Sequence, residues 1–462
     1  MLITNIGIAN RTGTEIVAMD LARSLKDAGH TAMIWAPVID LDIVAELRNS
    51  GIPVVSKIGE LPADPDIIHG HHHLETLEAV RCFPRRPAIF VIHDGQAWHD
   101  APPQHPQILH YVAVDEFCRK RLERAPWIAK DRISVIHNAV DLKRFQPRAP
   151  LPDRPRRALI FSNNATANTH LEPVQDACAR MGIELDVAGS GVGKQTSEPE
   201  NLLGCYDLVF AKARCALESM AVGCAVVLCD TTGLGSMVTS TEVSYLRNWN
   251  FGFRVLSRSL EPELIANEIR RYDPADAAKV SLYVRQDADL TRAVEQYMAL
   301  YRKVLSMEPP ESSPDCYVAT APVQIEDQRL MSLSITSVPE HTEVRDYFMV
   351  AVRFENDAKV PVLTSPPWPS FLTYRWIEAG TGKIVIEDGF RSILQPCTLQ
   401  NPLDCHEMKV IAPPVPGQYL LRVTIIQEGW RWLDHLEPKV SAEAEISVTA
   451  GRKANDHTHA TL

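Results

Sequence analysis

Residues 2–35 read LITNIGIANRTGTEIVAMDLARSLKDAGHTAMIW, in which two apolar runs flank one amphipathic segment. The apolar runs have the length of buried strands, and the segment at 14–28 has the periodicity of a helix. Thr12 and Glu15 have the spacing of a capping box, and Gly29 stands where a helix commonly ends. The stretch therefore predicts a strand, a helix and a second strand, which is the unit of a parallel sheet.

The same alternation extends over residues 1–114 and returns over 158–229, after a stretch rich in Pro and Arg at 147–157. Two such series predict an α/β protein with two Rossmann-like domains, at 1–146 and 147–307, that face each other across a cleft. Ligands of this architecture bind at the carboxyl ends of the strands. The cleft is therefore the expected functional site.

The last third of the chain has a different pattern. Residues 308–319 contain the run EPPESSP, whose prolines cannot continue a helix, and they predict a linker. From 320 to 450, short runs with period-two alternation predict a C-terminal all-β antiparallel sandwich. The polar tail at 451–462 is expected to be disordered.

Composition excludes several classes of protein. The 462 residues carry a formal net charge of -11, which argues against a general nucleic-acid binder. No apolar run has the length of roughly 18 to 20 residues that a membrane-spanning helix needs, and no basic leader precedes the first strand. We expect a cytoplasmic protein, with peripheral association with the inner membrane or an assembly machinery as a further option.

The most specific motif is VIHNAVD at residues 135–141. Three further motifs occur in a consistent order: GTE at 13–15, PDIIH at 65–69 and LESMAVG at 217–223. Over residues 1–305 the chain resembles family 4 glycosyltransferases of the GT-B fold. The resemblance implies transfer of a sugar from a nucleotide-sugar donor to a glycan or lipid-linked acceptor, with retention of configuration, in bacterial surface polysaccharide assembly.

Such a reaction needs a grip on the nucleotide and positive charge for the departing diphosphate. The resemblance makes Glu218 the carboxylate that holds the donor ribose. Lys212 and Arg214 precede the predicted helix, where cations and free backbone N–H groups could meet the diphosphate. His93 follows a strand that opens into the cleft, and the resemblance places it at the sugar site. We predict catalytic roles for His93, Lys212 and Arg214, with solvated surface charge or a routine strand-end histidine as the structural alternatives.

Glycine-rich turns complete the predicted donor site, because glycine lets backbone amides approach a phosphate. The expected donor-binding residues besides Glu218 are Gly13, Asn138, Gly191, Gly233, Leu234 and Gly235. For residues 233–236 a plain turn is the alternative. The run AGSGVGK at 188–194 fails the P-loop pattern, because Ala188 replaces its first glycine and Gln195 follows its lysine.

Two departures from the family pattern leave other functions open. The first carboxylate of a Glu-x7-Glu pair falls on Phe210, and the usual Arg and Lys are missing from residues 161–165. The alternatives are a non-catalytic carbohydrate-binding or scaffolding protein with a degenerate transferase unit, and a nucleotide-sugar epimerase of the same fold.

We expect no cofactor and no metal, because protein cations and helix-end dipoles can stabilise a leaving diphosphate. Residues 69 and 71–73 are histidines, but adjacent side chains at a strand end cannot all point one way.

The tryptophans at 368, 376, 430 and 432 can stack on sugar rings or fill a core. Short similarities here to the sugar-binding domain of O-antigen exporters add the hypothesis that the sandwich binds glycan.

Overall fold

The computed structural model describes residues 1–166, 169–307, 324–358, 362, 368–394, 403–428, 430–435 and 437–450. The chain divides into two compact units, Met1–Val318 and Ala319–Leu462. The predicted linker at 308–319 and tail at 451–462 lie outside the described residues. Among the helices described, none combines the length and the apolar character that crossing a membrane requires.

The first α/β domain, within the first unit, contains nine strands and four helices. They are β1 (Leu2–Thr4), β2 (Gly7–Ile8), α1 (Gly13–Asp27), β3 (Met33–Trp35), β4 (Val38–Ile39), α2 (Leu41–Asn49), β5 (Val54–Val55), β6 (Ile68–His71), α3 (His73–Cys82), β7 (Ala88–Ile92), β8 (Ile108–Ala113), α4 (Glu116–Glu123) and β9 (Ile133–Val135). Seven strands form one parallel sheet in the order β5-β3-β1-β6-β7-β8-β9, and β2 pairs with β4. The predicted parallel sheet is confirmed.

Within the described residues, the second α/β domain has five strands and six helices, and a seventh helix follows them. They are β10 (Arg157–Phe161), α5 (Leu171–Arg180), β11 (Glu184–Ala188), α6 (Pro199–Leu203), β12 (Leu208–Ala211), α7 (Ala213–Val222), β13 (Ala225–Asp230), β14 (Gly233–Met237), α8 (Val243–Asn248), α9 (Pro262–Ile269), α10 (Pro274–Asp287) and α11 (Leu290–Leu305). The sheet order is β11-β10-β12-β13-β14, and only β14 runs antiparallel.

Alternation along the central strands explains why this second sheet is covered on both faces. Leu208 and Phe210 of β12 belong to one buried cluster, while Val209 and Ala211 belong to another. A parallel strand that is buried on both sides reads as a continuous apolar run, as this one does. The carboxyl ends of β10 to β13 are consequently left to carry polar residues.

The two domains are joined at the VIHNAVD motif of residues 135–141, here called the hinge motif, and again at α11. The Val140 N–H donates to the carbonyl of Ala288 at 2.8 Å, and the Leu290 N–H donates to the carbonyl of Val140 at 3.0 Å. Tyr297 and Tyr301 of α11 are buried in the core of the first domain, although the predicted boundary groups this helix with the second. The two α/β domains are therefore linked at two places, the hinge motif and α11.

The second unit is an antiparallel β region, as predicted. Its elements are α12 (Ile325–Gln328), β15 (Met331–Ser337), β16 (His341–Glu343), β17 (Tyr347–Asn356), β18 (Ser370–Glu378), β19 (Ile384–Ile386), β20 (Ser392–Ile393), β21 (Leu403–Ile411), β22 (Gly417–Gln427), β23 (Arg431–Trp432) and β24 (Ser441–Thr449). One sheet has the order β15-β17-β21 and the other β16-β24-β22-β18-β19, with the β16–β24 pair parallel. Apolar residues of both sheets, among them Val352 and Trp376, share one buried core.

One local expectation is wrong: residues 233–236 are not a turn. They belong to β14, a buried edge strand. The glycines concealed it, since glycine weakens a strand and usually marks a turn. At Gly233 the backbone has φ +141°, and a Cβ there would lie 2.8 Å from the carbonyl oxygen of Leu256. Glycine thus serves close packing of backbone on backbone.

Candidate active site

A cavity of about 460 Å³ lies between the two α/β domains of the first unit. The polar residues on its first-domain wall are Asn10, Arg11, Arg23 and Asp40, beside Gly13. Those on the second-domain side are Ser162, Asn163, Gln195, Thr196, Ser197, Arg214 and Glu218, with Arg144 close to the hinge. The cleft expected from the sequence therefore exists, and both domains contribute to it.

The loop before α1 is held in place by one buried carboxylate. Glu15 accepts the backbone N–H groups of Ala9 at 3.2 Å, Asn10 at 2.8 Å and Thr12 at 3.0 Å. The last of these bonds is the glutamate half of the predicted capping box. The loop is thereby fixed against the start of α1, and Gly13 is the first residue of that helix and lines the cavity.

Arg214 connects the two walls of the cavity. Its Nε donates to Glu218 Oε1 at 2.7 Å, and its Nη2 donates to Asp20 Oδ2 of α1 in the first domain. Burial alone would lower the pKa of Arg214, but the two carboxylates raise it, so the guanidinium stays charged. Glu218 is only 4% exposed.

Lys212 forms its ion pair with a carboxylate other than the two that contact Arg214. Its ammonium group pairs with Asp230, a fully buried residue that also accepts from Ser162 Oγ at 3.0 Å and from Asn164 Nδ2 at 3.2 Å. Burial alone would raise the pKa of Asp230, but Lys212 lowers it. Lys212 does not itself line the cavity. Its charge instead fixes the loop after β10, whose Ser162 is part of the second wall.

His93 directly follows β7, as predicted. The N–H groups of His93 and Asp94 donate to Asp100 Oδ2 at 3.0 Å and 2.6 Å. Burial and the neighbouring His99 lower the pKa of His93 to about 4, so its ring is neutral near pH 7. His93 lies outside the lining of the cavity. Its ring is near that of His71, with 4.7 Å between centroids.

The histidine-rich edge beside His93 contains one set of donors close enough to share a cation, within the part of the chain that the structure describes. One ligand atom each from His72, His99 and Asp100 lies within 4.8 Å of the others. However, His72 Nδ1 accepts the N–H of Ile6 at 3.0 Å, so in the neutral ring the proton is on Nε2. That nitrogen faces Asp100 Oδ1 at 4.0 Å. His72 Nε2 therefore carries a proton directed at the Asp100 carboxylate, and this nitrogen would have to lose that proton before it could bind a metal ion.

The remaining predicted donor residues lie away from the cavity lining. Asn138 is half-buried in the hinge. The Gly191 N–H donates to the carbonyl of Asn163 at 3.0 Å, and a Cβ at this position would lie 2.3 Å from the carbonyl oxygen of Ala165. The Leu234 N–H donates to Arg258, inside the strand that also holds Gly233 and Gly235. The backbone N–H groups of Gly191 and Leu234 are therefore already hydrogen-bonded within the protein.

Three arginines of the cavity were missed from the sequence. Arg144 donates to the carbonyl of Ser197 at 2.8 Å and pairs with Glu200 at 2.7 Å. Arg11 and Arg23 belong to the first-domain wall. Arg144 closely follows the motif at 135–141, and this position was the available signal. For the other two, only the folded loop and helix bring the side chains to the cavity.

Comparison with known proteins gives a family for part of the chain. Residues 11–144 match the sequence profile of Glycosyltransferase Family 4. A comparison with curated proteins finds no match to this sequence. The matched range includes Arg11, Gly13, Arg23 and Asp40 of the first-domain wall, together with His93 and the hinge motif.

Several solved structures are similar to the chain. A glycosyltransferase from Rickettsia africae gives a TM-score of 0.45 at 14% identity, covering 66% of this chain and 98% of that chain. The lipopolysaccharide outer core galactosyltransferase WaaB gives 0.36 at 13%, with coverages of 62% and 99%. WaaG, a glycosyltransferase involved in lipopolysaccharide biosynthesis, gives 0.38 at 10%, with coverages of 65% and 98%. The fold of this chain itself rests on its two parallel sheets, and the match over residues 11–144 classes the protein as a glycosyltransferase.

Proposed function

We propose that the protein transfers a sugar from a nucleotide-sugar donor to a glycan or lipid-linked acceptor, with retention of configuration, in the assembly of a bacterial surface polysaccharide. The observation that carries the proposal is the cavity between the domains, to which Gly13, Arg214 and Glu218 all contribute. Nothing in the proposed reaction requires a cofactor or a metal. The proposed location is the cytoplasm, with peripheral association with the membrane face.

The donor nucleotide is proposed to bind at Glu218. Arg214 donates a hydrogen bond to Oε1 of this carboxylate and thereby fixes its orientation. Among the described residues no hydrogen bond or ion pair is formed by Oε2, which leaves one oxygen for the vicinal hydroxyl groups of a ribose. A carboxylate already held by a cation is preorganised for this contact.

The leaving diphosphate is proposed to face the cations of the second wall. As the bond from the anomeric carbon to the diphosphate breaks and the acceptor oxygen bonds to that carbon, negative charge grows on the departing group. Arg144 lines the cavity with its side chain 28% exposed, whereas Arg214 is held by two carboxylates. We therefore assign the main electrostatic role to Arg144, with Lys212 and Arg214 supporting the walls.

A degenerate transferase unit is the second candidate, and one observation favours it. Phe210, at the position of the expected family carboxylate, is fully buried in β12. Its side chain belongs to the core and cannot reach a sugar. An epimerase of the same fold is a third candidate, for which the cavity offers no separate argument.

A screen of nucleotide sugars with product detection separates these functions. Transfer to an added glycan supports the proposed activity. Nucleotide binding without turnover supports the degenerate unit, and conversion of the donor sugar without transfer supports an epimerase. An Arg144→Gln variant serves as the control, because it should lower turnover in the first case and leave none to lower in the second.

The β region is proposed to bind glycan. Trp430 is 50% exposed, and its ring lies 5.4 Å from that of Trp368. Trp376 is fully buried, and the guanidinium of Arg375 lies 4.0 Å from the centre of the Trp432 ring. The sugar-stacking candidates are thereby reduced from four tryptophans to Trp430 and Trp368.

A further inference from the structure

Two arginines on the first-domain wall share a single carboxylate. Arg11 Nη2 lies 2.5 Å from Glu46 Oε2, and Arg23 Nη2 lies 2.6 Å from Glu46 Oε1. One oxygen goes to each guanidinium, so the carboxylate of Glu46 sits between two cations as an anionic ligand would. Both arginines line the cavity. We call Arg11, Arg23 and Glu46 the arginine clamp.

The position of Arg11 is set before any ligand arrives. Its backbone has φ +51°, in the left-handed region that residues with a side chain rarely adopt. The loop on either side is held by the carboxylate of Glu15, which accepts the N–H groups of Asn10 and Thr12. The direction of the Arg11 side chain therefore follows from a pinned loop, which reduces the entropy lost on binding.

Glu46 is a replaceable partner. Its side chain is 46% exposed, and those of Arg11 and Arg23 are 29% and 30% exposed. Burial alone would raise the pKa of Glu46, but the hydrogen bond from Arg11 and the charges of both arginines lower it. The space between the guanidinium groups thus favours negative charge. Exposed ion pairs are weak, so a free anion can compete for this space.

Two further acids near the clamp are already engaged. Asp20 Oδ1 lies 3.7 Å from Arg23 Nη1, but its Oδ2 accepts a hydrogen bond from Arg214. Asp40 lines the cavity, but its Oδ1 accepts the N–H groups of Asp42 at 3.0 Å and Ile43 at 3.1 Å as the cap of α2. Its charge is directed to the helix start. Arg11 and Arg23 remain the cations of the wall opposite Glu218.

We propose that the arginine clamp binds an anionic group, a phosphate or a carboxylate, carried by the acceptor, and that Glu46 occupies the clamp until this group displaces it. The assignment of this anion to the acceptor rests on the proposed function, in which the nucleotide binds at the opposite wall. The clamp itself requires only an anion in the cavity.

The test is calorimetric titration of the full chain with inorganic phosphate at low ionic strength. Glu46→Gln should tighten phosphate binding about tenfold, because it removes the competing charge, and the double variant Arg11→Gln with Arg23→Gln should weaken it about tenfold or more. Asp176→Asn is the matched control, since Asp176 pairs with Arg180 on an exposed helix face away from the cavity lining. Unchanged affinity in Glu46→Gln would overturn the clamp, and this variant keeps the test valid even if the double variant folds poorly. Loss of phosphate binding in Arg144→Gln alone would also overturn it, by assigning the phosphate to the donor side.

A second measurement separates the clamp from the proposed function. Transfer from a nucleotide sugar is compared for a sugar phosphate and the matching neutral sugar as acceptors. A preference for the sugar phosphate that disappears in the Arg11 and Arg23 double variant supports the acceptor assignment. Transfer with no such preference overturns that assignment while the proposed function stands. Phosphate binding that responds to Glu46→Gln without any transfer retains the clamp and rejects the proposed function.

Discussion

The two walls of the cavity hold their arginines in different ways. On the first-domain wall, Arg11 and Arg23 share the half-exposed Glu46. On the second, Arg214 is buried between Asp20 and Glu218, with side chains 9%, 8% and 5% exposed. The partners are chemically alike, but burial removes the water that could replace them. The buried set therefore fixes the shape of the site, while the exposed set can exchange its anion for a ligand.

The largest expected effect is the loss of the buried cation. Arg214→Met would leave Asp20 and Glu218 close together without their partner, and we expect the free energy of unfolding to fall by about 3 to 5 kcal/mol. Arg11→Met removes a cation of the exposed set, whose partner is the half-exposed Glu46, and should cost less than about 1 kcal/mol. Urea denaturation of both variants gives the comparison. Equal losses would mean that burial does not distinguish the two walls.

The next effect concerns the donor. Glu218→Gln keeps the shape of the side chain but removes the charge, and we expect the affinity for a nucleotide sugar to fall about tenfold to a hundredfold. Glu263→Gln is the matched control, because Glu263 is an exposed helix glutamate of the same domain with its side chain 51% exposed. Calorimetry with the donor alone measures this effect. Undiminished affinity would remove Glu218 from the nucleotide site.

The sequence predicted the fold better than the contacts of the site. The apolar alternation predicted both parallel sheets, because burial on both faces leaves a clear signal in each strand. It missed β14, where Gly233 and Gly235 pack backbone against backbone and resemble a turn. Gly13 could be found because the start of α1 carries a recognisable capping motif, and Glu218 could be found because the family resemblance places a carboxylate there. The partner of Arg214 could not, since Asp20 lies 194 positions away and only folding brings them together.

The pH dependence of stability tests the difference between buried and exposed ion pairs a second time, at Lys212 and its buried partner Asp230. Its charge keeps the pKa of the buried Asp230 below its ordinary value, so this carboxylate stabilises the fold above that ordinary value and loses the contribution as pH falls through the folded pKa. Lys212→Met removes the lowering influence, and burial should then raise the pKa of Asp230. We expect the acid-unfolding midpoint of the variant to move to higher pH. Arg180→Met, on an exposed pair, should leave that midpoint unchanged, and an unmoved midpoint in Lys212→Met would contradict the assigned pairing.

The smallest expected effect concerns the β region. Here the half-exposed Trp430 is available to a ligand, whereas the fully buried Trp376 is part of the core. This unit has its own buried core, and we expect residues 320–450 to fold when expressed alone. Trp430→Ala should weaken binding of the cognate glycan about twofold to tenfold, because a stacked ring contributes about 0.5 to 1.5 kcal/mol. Val415→Ala is the control, because Val415 is also an exposed apolar residue, at 59%. Chemical-shift mapping against the glycan measures both variants: a folded unit without perturbation at Trp430 would reject glycan binding, whereas an unfolded unit would reject its independence.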